Sequence, residues 1–96
     1  MLISVLIPCY NEKNSIEEIV SRINNLTDLE IEIIIIDDYS NDGTREILKD
    51  KIKDKVSKII FNEANFGKGY SLKKGIEAAN GEIILIQDAD LEYNPK

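Results

Sequence analysis

The chain has no histidine and no tryptophan among its 96 residues, and a single cysteine, Cys9. Without histidine there is no imidazole to act as a base, to activate a thiol or hydroxyl, or to ligate zinc. A lone cysteine cannot form an intrachain disulfide, which fits a reducing compartment. With no imidazole to pair with, Cys9 reads as a small buried hydrophobe. Long apolar runs are also missing: none approaches the roughly 20 residues needed to span a bilayer. Leu2–Ile7 is too short for a secretory signal core, lacks a basic flank and is stopped by Pro8. A cytoplasmic location is therefore expected. Basic character is lacking too. The net charge of −6 and pI near 4.6 argue against nucleic acid as a partner.

What is present is enough for one small α/β domain. Four short apolar runs alternate with helical patterns. Ile3–Ile7 reads as a buried strand ended by Pro8. Ile16, Ile19, Val20, Ile23 and Leu26 then recur at helical spacing behind a Ser15-x-x-Glu18 capping box. A second strand over Glu32–Ile36 leads into Asp37 and Asp38. The turn Tyr39-Ser-Asn-Asp42-Gly43-Thr44 opens a second helix, with Asp42 or Thr44 as its cap and Ile47, Leu48 and Ile52 on its inner face. Val56–Phe61 is a third strand, followed by Asn65-Phe-Gly67-Lys68-Gly69. The helix after that loop is expected to turn Leu72, Ile76 and Ala79 inward and to close at Asn80-Gly81. Ile83–Ile86, four apolar residues in a row, reads as a strand buried on both faces.

This β-α-β-α-β-α-β order predicts a Rossmann-like, three-layer α/β/α fold with a mainly parallel sheet in the order 3-2-1-4. Ligands of such sheets bind at the carboxyl ends of the strands, where the order reverses. Pro8, Tyr10 and Glu12 follow the first strand, Asp38 the second, and Asp88-Ala89-Asp90 the fourth. If the chain stays extended after Ile86, Asp88 and Asp90 project to one side and Ala89 to the other. Two fixed carboxylates repel unless a cation sits between them, so Asp-x-Asp suits a hard metal ion.

Four ordered motifs carry a resemblance. Val5-Leu-Ile-Pro8-Cys-Tyr10-Asn-Glu12, Ile33-Ile-Ile-Ile-Asp37-Asp38-Tyr-Ser40-Asn-Asp42-Gly-Thr44, Asn65-Phe-Gly67-Lys-Gly69 and Asp88-Ala-Asp90-Leu resemble the amino-terminal half of family 2 glycosyltransferases. The likeness is to polyprenyl- and dolichyl-phosphate mannose or glucose synthases. It implies the A-type glycosyltransferase fold, with residues 1–96 as the donor-nucleotide half and the acceptor half absent. It further implies that Pro8, Tyr10 and Glu12 line a nucleotide-sugar pocket and that Ile36 and Asp38 meet the base and ribose. Asp88 and Ala89 would hold ribose and diphosphate, and Asp90 with Glu92 would bind Mg²⁺ or Mn²⁺. A polyprenyl phosphate or glycan would be the acceptor, and the catalytic base would lie in the absent half. Lys68 reads more readily as a solvated helix-start lysine than as a phosphate ligand. Tyr39 stands where many relatives have glycine, so a turn with positive φ there would be strained.

Two other readings use the same residues. One is a nucleotide-binding module without catalysis. The other is a receiver-like signalling domain, but that needs a lysine at a late strand end, and none follows the fourth strand. In this strand order Ile83–Ile86 would be an uncharged apolar edge, so self-association of the chain is expected.

Overall fold

The computed structural model describes residues 1–89. Asp90 and Glu92 lie outside the described residues. The elements are β1 (Leu2–Cys9), α1 (Ile16–Asn24), β2 (Glu30–Asp37), α2 (Thr44–Ile47), β3 (Lys58–Phe61), α3 (Lys68–Ala78) and β4 (Ile83–Ile86). After α2 the chain continues through a π-helical turn over Leu48–Ile52 and a 3-10 turn over Lys53–Lys55. All strand pairs are parallel and the order is β3-β2-β1-β4, as expected.

Side chains alternate along a strand, so residue parity assigns each layer. Val5, Ile7, Cys9, Ile33 and Ile35 face α1 and the helical segment after Thr44, where Ile16, Ile19, Val20, Ile23, Leu48 and Ile52 meet them. Leu6, Ile34 and Ile36 point the other way, toward Ile60, Ala78 and Ala79. Each fully buried isoleucine or leucine contributes ~1.5–3 kcal/mol relative to exposure. The apolar runs of β1 and β2 therefore feed both layers at once.

Several local expectations are corrected. Ser15 makes no capping box. The Glu12 carbonyl accepts the Ser15 and Ile16 N–H groups at 3.1 and 3.0 Å, while the Ser15 hydroxyl donates to the Ala89 carbonyl at 2.5 Å. A buried carbonyl in need of a donor outcompetes the local cap. Leu26, expected on the α1 stripe, is half exposed beyond the helix end. Pro8 does not end the ladder: β1 runs through Cys9, with Pro8 opposite Ile36. β4 stops pairing at Leu6, so Pro8 stands beyond β4.

The phase of α3 also differs. Ser71 and Gly75 are buried, whereas Ile76 is 51% exposed. A Cβ on Gly75 would come within 2.8 Å of Ile36 Cδ1 and 3.1 Å of Leu6 Cδ1, so glycine sets how closely α3 approaches the sheet. β4, expected to be buried on both faces, is 39–53% exposed along its length, because among the described residues it pairs with β1 alone.

Candidate functional site

The carboxyl ends of β1, β2 and β4 and the first turn of α3 enclose a cavity of about 300 Å³. Of the residues singled out from sequence, Pro8, Tyr10, Glu12, Asp38, Asp88 and Ala89 line it. Among the described residues, Cys9, Lys68 and Ser71 complete the lining. Ile36 does not: it is 0% exposed and belongs to the core beneath α3. Tyr10 is 45% exposed, leaving its ring available at the cavity mouth.

The adjacent acids Asp37 and Asp38 diverge because they fall on opposite faces of the sheet. Asp37 is fully buried on the α2 side. It accepts the Ser40 hydroxyl at 2.6 Å and pairs with Arg45 at 3.2 Å, and the Arg45 guanidinium lies over the rings of Phe61 and Tyr39. Asp37 is thus a structural acid that orders the turn after β2. In that turn Tyr39 has φ +67°, the left-handed conformation foreseen as strained for a residue other than glycine. The cap of α2 is Gly43, with φ +103°, rather than Asp42 or Thr44; the Asp42 Oδ1 accepts the Thr44 N–H at 3.0 Å and the Thr44 hydroxyl beside it.

Asp38 turns toward α3. Its Oδ1 accepts the Asn62 amide and the Phe66 N–H, and its Oδ2 accepts the Gly67 N–H, all at 2.9 Å. The carboxylate therefore holds the loop that presents Lys68 to the cavity. Asn62, at the end of β3, also donates to the Ser71 hydroxyl at 3.0 Å. Asn62 and Ser71 were not picked out from sequence. The signal was available for Asn62, since it follows a parallel strand as the chosen acids do. Ser71 sits one turn after Lys68, between Tyr70 and Leu72, and a small polar side chain is not selected by an apolar pattern.

Asp88 and Ala89 separate as the alternation predicts. Ala89 is 2% exposed, whereas the Asp88 carboxylate stands in the solvent-facing rim and accepts the Lys68 ammonium at 2.7 Å. Lys68 is the solvated helix-start lysine that was expected, and it also borders the cavity. Cys9 is inert as a nucleophile: burial, then the carboxylates of Asp37, Glu12 and Asp42, push its thiol pKa far up. Among the described residues no group of three acidic, cysteine or histidine side chains could hold a metal ion. Asp88 nevertheless offers hard oxygen at the rim, the donor type that Mg²⁺ and Mn²⁺ prefer.

Comparison with known proteins agrees with this geometry. Residues 4–96 match the model of glycosyl transferase family 2. A dolichol-phosphate mannosyltransferase of Pyrococcus furiosus is 36% identical over an alignment that covers all of this chain and 28% of that protein. An undecaprenyl-phosphate 4-deoxy-4-formamido-L-arabinose transferase of Aeromonas hydrophila is 35% identical over 99% of this chain and 31% of that protein. The chain thus spans about a third or less of the length of these relatives.

Among solved structures, S. aureus TarS in complex with UDP-GlcNAc superposes with a TM-score of 0.81 at 30% identity, covering 94% of this chain and 27% of that one. A mannosyltransferase of Pyrobaculum calidifontis in complex with GDP-Man and Mn²⁺ gives 0.79 at 29%, covering 92% and 27%. The strand order, the acids at the strand ends and these matches agree: the chain belongs to glycosyl transferase family 2 and has the A-type glycosyltransferase fold.

Proposed function

We propose that this chain is the donor-nucleotide portion of a metal-dependent, inverting glycosyltransferase that takes its sugar from a UDP- or GDP-sugar. The observation that carries the reading is the cavity itself. It lies where parallel α/β sheets bind ligands, and it gathers residues from three strand ends and one helix start. Tyr10 offers a half-exposed ring against which a base can stack, and Pro8 a rigid apolar wall. Asp38 contributes indirectly, by fixing the loop before α3, and its position in the cavity wall suits contact with the base or ribose. Asp88 and the Ala89 backbone face the region assigned to ribose and diphosphate.

Asp90 and Glu92, which follow Asp88 in the sequence, are the residues that would hold Mg²⁺ or Mn²⁺. Such an ion supplies positive charge against the diphosphate leaving group. The acceptor oxygen attacks the anomeric carbon from the face opposite the diphosphate, which inverts the configuration. Its base is expected outside these residues. The relatives named for dolichol and undecaprenyl phosphate support a polyprenyl phosphate, or a glycan, as acceptor. Polyprenyl phosphates are membrane lipids, so with such an acceptor the protein would work at a membrane surface, on our reading its cytoplasmic face. No described helix is long and apolar enough to cross one.

Isothermal titration of UDP and of GDP, with Mn²⁺ or Mg²⁺ and then with EDTA, tests the reading. Binding of one nucleotide that depends on the metal is expected. Equal affinity in EDTA would remove the metal from the account, and no binding of either nucleotide would remove the donor assignment.

A further inference from the structure

Among the described residues β4 pairs with β1 alone, and its side chains are half exposed. Its ladder ends with Ile86 opposite Leu6, and one further backbone bond joins the Gln87 N–H to the Leu6 carbonyl at 2.9 Å. Asp88 and Ala89, which line the cavity, lie past this last rung. The ties at Asp88, to the Lys68 ammonium and from the Gln87 amide to the Asp88 carbonyl, are exposed and so weakly held. The tie at Ala89 is buried. Ser15, 7% exposed at the start of α1, donates its hydroxyl to the Ala89 carbonyl at 2.5 Å, and Ala89 is 2% exposed. The Glu12 carbonyl, 3.5 Å from the same hydroxyl, is the poorer acceptor because it already takes the Ser15 and Ile16 N–H groups. Glu12 and Ala89 both line the cavity, so Ser15 joins two of its walls from behind.

Resting on the reading of the cavity as a nucleotide pocket, we infer that Ser15 is a positioning residue for the nucleotide, acting through Ala89. It holds the segment after β4 with Ala89 in the core, and alternation then sets the Asp88 carboxylate on the cavity side. Without the hydroxyl, the Ala89 carbonyl loses its buried donor, and the Ala89 methyl is a small apolar anchor for a segment beyond its ladder. The segment then leaves the cavity wall part of the time. Apparent nucleotide affinity falls with the fraction that stays in place.

The test uses the whole chain as wild type, Ser15→Ala, Ser15→Thr and Ile52→Val. Ile52→Val trims the core outside the cavity lining and controls for lost stability. Amide hydrogen exchange read by NMR reports the tie without any ligand. Ser15→Ala should speed exchange at Asp88 and Ala89 severalfold while the central β1 and β2 amides change less. Titration with UDP and GDP at fixed Mg²⁺ then reads the pocket. Ser15→Ala should bind the wild type's nucleotide roughly threefold to tenfold more weakly, the factor of one net hydrogen bond. Ser15→Thr, which keeps a hydroxyl, should restore both readings. Ile52→Val should lose stability in urea yet keep wild-type affinity. Wild-type affinity in Ser15→Ala, equal weakening in Ile52→Val, or no rescue by Ser15→Thr would overturn the positioning role and leave the pocket reading standing. A wild type that binds neither nucleotide would overturn the pocket reading, and this inference with it.

Discussion

Asp38 separates a residue that builds the pocket from one that only touches its ligand. Asp38→Ala removes the acceptor of three hydrogen bonds, from Asn62 Nδ2, Phe66 N and Gly67 N. A hydrogen bond to a charged group contributes ~1.5–3 kcal/mol, so a simple sum would be large. The sum overshoots, because the part-buried Phe66 and Gly67 N–H groups regain water and Asn62 keeps its bond to Ser71. A net loss of ~2–3 kcal/mol is expected. This leaves a domain of ordinary stability folded but lowers its Tm by roughly 10–20 °C. Asp38→Asn should cost less, about 1–2 kcal/mol, since one oxygen still accepts two bonds while its amide faces the Gly67 N–H donor to donor. Thermal and urea unfolding followed by circular dichroism measure these losses, and nucleotide titration on the same samples reads the pocket. Stability and binding should fall together. Wild-type melting with binding abolished would show that Asp38 is a direct ligand contact and that its loop is held by other means.

Three further outcomes are expected. The Glu32 carboxylate accepts Asn80 N, the Ser4 hydroxyl and Asn80 Nδ2, and the Asn80 backbone bond foremost, then Ser4, holds its pKa below the usual glutamate range. A lowered folded-state pKa gives stability that is present above the unfolded value and lost as pH falls through the folded one. Glu32→Gln should therefore flatten the acid limb of a stability-versus-pH curve, and an unaltered limb would contradict the assignment. Gly75→Val should destabilise by ~2–3 kcal/mol in urea melts, because its Cβ meets the immobile side chains of Ile36 and Leu6. Light scattering at rising concentration should show association through the exposed β4 edge, and Ile84→Lys, which places a charge there, should suppress it.

The sheet was legible from sequence because its central strands carry runs of consecutive apolar residues, Val5–Ile7 in β1 and Ile33–Ile36 in β2. A run such as Ile33–Ile36 that satisfies both faces has few readings other than a covered parallel strand. The rim was legible for the same reason, since acids directly after such runs must fall at the carboxyl edge. Features that depend on close approach between elements were not legible. Gly75 and Ser71 face the sheet because small side chains let α3 come near, while a search for apolar residues selects Leu72 and Ile76 instead. Ser15 looked like a local cap and became a tertiary donor to Ala89, 74 residues away in sequence. Likewise, nothing local said that the solvated Lys68 would meet Asp88, 20 residues on, until the fold set the two side by side. Ile36 was assigned to the pocket on resemblance, yet it lies two residues short of Asp38 on the same face, covered by α3 at Gly75.

The central claim is that this cavity holds a nucleoside diphosphate with its metal. The most direct measurement is a ¹⁵N NMR titration with UDP or GDP in the presence of Mg²⁺, repeated with trace Mn²⁺. The account predicts amide shifts concentrated at Tyr10, Asp38, Lys68, Ser71 and Ala89, with Mn²⁺ broadening centred near Asp88. Shifts centred instead on the α1–Ile52 side of the sheet, or no shifts with either nucleotide, would contradict it.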